Sequence, residues 1–131
     1  MRLSASTTMA SVVLDASAVL AVINDEPGAA IVIENLEDAL VSAVNHAEVV
    51  SKLIERGAVL DLARDAVRNI GVRVVDFDID LADRTGELRR QTKHLGLSLA
   101  DRACLALAER EDVTALTADR KWGALEVGVK V

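Results

Sequence analysis

Four carboxylates, Asp15, Glu48, Asp101 and Asp119, stand at places where the chain changes from one kind of segment to another. Each has an ordinary explanation taken alone. Asp15 ends an apolar run and can cap the helix that follows, Asp119 suits a turn, and Ser98 with Asp101 fits a capping box, as Asn45 with Glu48 fits a variant of one. Taken together they invite a different chemistry. Two carboxylates about 4 Å apart repel by roughly 4 kcal/mol at an effective dielectric of 20. Four that converge stay ionised only around a cation or by keeping some protons. Hard oxygen ligands with no useful His or Cys select Mg²⁺ or Mn²⁺. An acidic cluster holding such a cation suits phosphodiester hydrolysis.

The elements that must bring these residues together are legible as alternating patterns. Short apolar runs at 11–15, 40–43, 72–75 and 113–117 predict strands, and the tail 127–131 offers a fifth. Helical spacing predicts helices at 16–24, 28–38, 45–56, 58–70, 79–94 and 98–110, with Gly57 and Gly71 as stops. Strands alternating with helices predict an α/β fold, a parallel sheet of four or five strands covered by helices on both faces. Ligands in such sheets bind beyond the carboxyl ends of the strands, where the strand order reverses. Asp15, Glu48 and Asp119 each follow a strand and so reach that edge. Asp101 follows a helix, and its convergence requires the chain to come back to the same edge. At about 100° per residue Asp101 shares a face with Cys104, Leu105 and Ala108, the apolar side of its helix, so it asks for a partner. Glu48 lies opposite Val50 and Leu53, a direction that suits an open cleft or plain solvent.

Composition narrows the classes. The chain has 131 residues, enough for one domain with a real core; residues 1–9 read as a loose tail and 10–131 as the domain. The single Cys104 excludes an internal disulfide and a cysteine-based metal site, which fits a reducing cytoplasm. The net charge of −6 argues against gripping nucleic acid through a general basic field. One Trp, one Phe and no Tyr leave no aromatic platform for stacking bases. No apolar run approaches the length of a membrane span. The first two helices are apolar nearly all round, which calls for burial in the core or cover by a partner.

Asp15-Ala16-Ser17-Ala18 after an apolar strand resembles the PIN-domain nucleases, and most closely the VapC-type toxins of bacterial toxin–antitoxin pairs. So do Ser42-Ala43-Val44-Asn45-His46-Ala47-Glu48, Ser98-Leu99-Ala100-Asp101 and Thr117-Ala118-Asp119-Arg120-Lys121-Trp122, in that order and at matching spacing, from about residue 11 to the end. The resemblance implies a small α/β domain with an acidic Mg²⁺ or Mn²⁺ pocket and endoribonuclease activity. It assigns Asp15, Glu48 and Asp101 as direct ligands and Asp119 as a ligand acting through water. Ser17 and Thr117 match polar positions beside the pocket. A cognate antitoxin, a homodimer and an RNA substrate are also implied. Arg120 and Lys121 at the pocket rim are the better candidates for RNA contact; Arg84, Arg89, Arg90, Lys93 and His94 more simply complement a helix end and solvate its face. Two other readings stand beside this one. A phospho-receiver domain would use Asp76 as phosphate acceptor with Lys121, and a non-catalytic module would keep the acidic pocket only to bind a partner.

Overall fold

A computed structural model describes residues 12–118 of the chain. Four strands, β1 (Val12–Leu14), β2 (Leu40–Ser42), β3 (Arg73–Val75) and β4 (Thr114–Leu116), form one parallel sheet in the order β3-β2-β1-β4. Six helices connect them: α1 (Ala16–Ile23), α2 (Ala29–Glu34), α3 (Ala43–Glu55), α4 (Leu60–Asn69), α5 (Ile79–Thr92) and α6 (Leu99–Glu111). The expected strand at 127–131 and the tail at 1–9 lie outside the described residues.

The two central strands, β1 and β2, are buried on both faces and divide the core by their pleat. Val12, Leu14 and Val41 point into one cluster, with Val19, Val32, Val49 and Val67 of α1 to α4. Val13, Leu40 and Ala115 point into the other, with Leu88, Leu105 and Leu107 of α5 and α6. The expectation of helices on both faces is met, and the reason lies in the strand order. Crossovers β1 to β2 and β2 to β3 travel one way across the sheet, whereas β3 to β4 travels back past β1, so right-handed connections place its helices on the opposite face.

Several boundaries differ from those expected, each for a local reason. α3 starts at Ala43 because Ser42 is its N-cap, its Oγ accepting from the Val44 N–H at 3.2 Å. Asn45 and Glu48 are therefore inside the helix and do not form the anticipated capping box. α2 is only six residues and leaves Ile31 and Ile33 exposed, so its apolar surface is only partly covered. On α3, Val49 and Leu53 take the core face, and Ile54 is 45% exposed. Gly57 and Gly71 do follow α3 and α4 with φ of 101° and 86°, a conformation that side chains disfavour.

Two ion pairs fix the direction of the last helical pair. Arg84 grips Glu109 with two bonds, 2.6 and 2.8 Å, and Arg110 meets Asp78 at 2.9 Å, so the start of α5 lies against the end of α6. The two helices are thus antiparallel. Since α6 runs directly into the amino end of β4, its own first turn lies at the carboxyl edge of the sheet, and this is how the chain brings Asp101 back there.

Candidate active site

The strand order reverses between β1 and β4, and Asp15 stands at that point. Its backbone N–H donates to the Leu116 carbonyl at 3.1 Å, extending the β1–β4 pairing by one residue. The side chain is 3% exposed. One oxygen accepts from the Ala18 N–H at 2.9 Å, which is the helix cap expected from sequence, and from the Ser17 hydroxyl at 2.7 Å. The other accepts from the Thr117 hydroxyl. Ser17 in turn accepts from the Ala118 N–H at 2.9 Å and lies 3.3 Å from the Thr117 hydroxyl. Ser17 and Thr117, polar positions inferred from motif likeness, thus form the immediate cradle of Asp15.

Burial pushes the Asp15 carboxyl above its ordinary pKa; bonds from Thr117, Ala18 and Ser17 oppose this, and the negative charge of Asp101 reinforces it. Asp101 sits half-buried in the first turn of α6. It closes a capping box with Ser98, each side chain accepting from the other residue's backbone N–H, at 2.9 and 3.1 Å. The structural and the chemical readings of Asp101 therefore coexist. The fully buried Cys104 lies near both acids: burial first, then Asp15 and Asp101, hold its thiol well above the ordinary value. Cys104 is a packing residue with no thiolate to offer.

Glu48 is half-buried on α3, one turn beyond Asn45. Asn45, passed over in the sequence except as a cap, is 1% exposed and ties the two helices of the site together, its Nδ2 donating to the Ala100 carbonyl at 3.1 Å. Because a carbonyl only accepts, that bond fixes the amide orientation, and Oδ1 is left buried with no partner among the described residues. The only sequence signal for Asn45 was a polar residue one turn before the buried Val49. Asp119, Arg120 and Lys121 lie outside the described residues.

The donor set can be tested against a hard cation. An ionised carboxylate offers about four lone-pair positions, and Asp15 uses three, leaving one. Its burial and the nearby Asp101 charge disfavour ionisation in the absence of a positive partner, and every donor at hand is oxygen. These features fit Mg²⁺ or Mn²⁺. Among the described residues, however, no group of three or more His, Cys, Asp or Glu is arranged to hold a metal ion. Asp15 and Asp101 come together; Glu48 does not complete a group with them as placed. Arg84, one of the weighed phosphate contacts, is committed to Glu109.

A PIN domain family model matches residues 12–127. The chain belongs to the PIN domain family. No curated protein matches the sequence. Among solved structures, this PIN domain resembles a DNA-bound VapBC of Salmonella typhimurium, with TM-score 0.73 and 18% identity over 93% of this chain and 96% of the other. It also resembles the Mycobacterium tuberculosis toxin VapC20, which cleaves the sarcin–ricin loop, with TM-score 0.69 and 20% identity over 92% and 100%. A toxin–antitoxin complex from Klebsiella pneumoniae aligns with TM-score 0.67 and 19% identity over 92% and 97%. At these identities the likeness is one of fold. Membership of the PIN family sets aside the receiver alternative, whose acceptor Asp76 is an exposed residue just past the edge strand β3.

Proposed function

We propose that this PIN domain is a metal-dependent endoribonuclease toxin of the VapC type, neutralised by a cognate antitoxin. The observation that carries the reading is Asp15: a nearly fully buried carboxylate at the strand-order switch, held by three donors and facing a second acid. Perturbed acids so placed mark functional sites. Asp15 and Asp101 would hold Mg²⁺ or Mn²⁺ directly, Glu48 would join them only by a change of its side-chain position, and Asp119 would act through water. When bound, the cation supplies Lewis-acid chemistry, easing formation of a nucleophile from water and offsetting charge on the scissile phosphate.

The chain's own part is positioning. Ser17, Thr117 and the Ala18 N–H fix Asp15 before any ligand arrives, so little reorganisation accompanies reaction. Asn45 holds the first turn of α3 against that of α6 and so sets Glu48 relative to Asp101. Arg120 and Lys121, which flank Asp119 in sequence, would meet the RNA backbone at the rim. Ile31 and Ile33 of α2, with Leu60 and Leu62 of α4, are exposed apolar side chains that suit cover by the antitoxin or a second copy. The VapBC and Klebsiella complexes among the structural neighbours support an antitoxin partner, and the mycobacterial toxin supports RNA as the substrate.

The test is RNA cleavage by purified wild-type, Asp15→Asn and Asp101→Asn proteins with and without Mg²⁺ or Mn²⁺, with folding checked by circular dichroism. Cleavage should require the cation and be lost in both variants. Equal cleavage by all three proteins would mean a contaminating nuclease and defeat the reading, as would cleavage by none. Mapping of 5′ ends after brief induction then identifies the RNA.

A further inference from the structure

We propose that a cationic cavity between α4, the first turn of α3 and the outer strand β3 is a second subsite of the same reaction, binding backbone phosphates of single-stranded RNA away from the cleaved bond; this rests on the endoribonuclease reading. The cavity measures about 320 Å³ and is lined by His46, Arg64, Val67, Arg68, Val72 and Val74. Its chemistry is that of an anion site with an apolar floor, in a chain whose net charge is −6. Such a chain repels RNA at long range, so phosphate contacts must be local.

Arg64 and Arg68 are one helical turn apart on α4, which puts their Cβ atoms about 5–6 Å from each other, a spacing that lets two guanidinium groups address neighbouring phosphates. Both have acidic neighbours on the same helix: Asp61 lies 4.0 Å from Arg64, and Asp65 lies 3.3 Å from Arg68. These pairs are solvent-exposed, and exposed pairs contribute little. The guanidinium groups are therefore available to a better anion. His46 closes this wall with its ring; its Nδ1 is buried without a hydrogen-bond partner among the described residues and is turned away from the cavity, so the anion contacts fall to the two arginines.

Placement links the cavity to the acids. Asn45 reaches from the first turn of α3 towards α6 and Asp101, while the next residue, His46, lines the cavity on the α4 side. The first turn of α3 thus carries Asn45 on the acidic side and His46 on the cationic side, and a strand lying across that turn meets both. The lining holds no Phe, Tyr or Trp, so stacking is limited to the His46 ring and the guanidinium planes; Val67, Val72 and Val74 offer contact to ribose carbons. Such a subsite positions the strand and reads no sequence.

The experiment uses full-length Asp15→Asn protein, which cannot consume the probe, and measures fluorescence anisotropy with a labelled single-stranded RNA dodecamer and a trinucleotide across salt. Adding Arg64→Ala and Arg68→Ala should weaken dodecamer binding about tenfold at low salt and flatten the log–log salt slope by about 1.4, the value for two phosphates on a single strand. Trinucleotide binding should not change. Arg64→Lys with Arg68→Lys should retain the slope, and the melting temperature of each variant shows whether it is folded. In the cleaving protein the alanine pair should raise KM for long RNA and leave kcat unchanged. Unchanged dodecamer affinity overturns the subsite. Tighter binding of a polyglutamate peptide than of RNA, lost in the alanine pair, assigns the cavity to an acidic protein segment and overturns it too. If the wild type cleaves no RNA, the endoribonuclease reading fails, and the anisotropy measurement still decides the subsite separately.

Discussion

Replacing Asp15 with Asn separates what the carboxylate costs the fold from what it offers a cation. Burial, reinforced by Asp101, raises its pKa in the folded protein. The sign follows from linkage. Below the ordinary carboxylate pKa the group is protonated in both states and is neutral to stability. As pH rises from that value through the raised one, the unfolded chain releases its proton first, so stability falls, and the loss is complete above the raised value. Asn carries no charge and keeps an oxygen for the Ala18 N–H and the Ser17 hydroxyl. Without divalent cation, Asp15→Asn should therefore melt above wild type at pH 7, and the gap should close as pH falls below the ordinary carboxylate range. Cation binding reverses the order. At about 2.1 cal/mol/K per residue, 131 residues give an unfolding entropy of about 0.28 kcal/mol/K, so each kcal/mol moves the midpoint by about 4 °C. Mg²⁺ or Mn²⁺ at a hundredfold its Kd adds about 2.7 kcal/mol, or about 10 °C, to wild type. The variant, lacking the charge, should respond little. Differential scanning fluorimetry with EDTA, Mg²⁺ and Mn²⁺ at several pH values measures all of this. A wild type indifferent to cation, or an Asn variant that responds equally, would refute the reasoning.

Three further outcomes are expected. Ser17→Ala removes the donor to the buried Asp15 and returns the exposed Ala118 N–H to water, lowering stability by about 1 kcal/mol in urea titrations, whereas Ser17→Thr should recover most of it. Leu88→Ala empties a fully buried position between α5 and the sheet and should cost about 2–5 kcal/mol by the same measurement. Asp112, the left-handed C-cap of α6 at φ 55°, places an acid at the negative end of a helix; Asp112→Gly should stabilise by about 1 kcal/mol, read as a melting temperature about 4 °C higher.

How far the residues themselves foretold this arrangement varies from one to the next. Asp15 was legible because three apolar residues ending in a carboxylate fix both a buried strand and its edge. Asp101 was half legible: helical angles put it on the apolar side of its helix, but its return to the sheet edge depends on the antiparallel pairing of α5 and α6, fixed by Arg84–Glu109 and Asp78–Arg110. Those pairs span 25 and 32 residues, and nothing in local spacing announces them. Asn45 stayed hidden for the opposite reason, since a capping motif explained it too readily; the true cap, Ser42, lay three residues earlier. Glu48 is where pattern says least, because a half-buried acid on a helix flank looks alike whether it serves a pocket or solvent.

The bonds that cradle Asp15 have a temporal consequence. Ser17 and Thr117 are 100 residues apart, and the bonds from Thr117 to Asp15 and from Ala118 to Ser17 span 102 and 101. At about 5–20 residues per second, synthesis delivers β1 roughly 5–20 s before the strand that supplies those partners. During that interval the nascent chain holds its central carboxylate but not the hydroxyl that grips its second oxygen. The cradle therefore closes only once Thr117 and Ala118 have been made, and a nascent chain that stops short of them holds Asp15 by its local bonds from Ser17 and Ala18 alone.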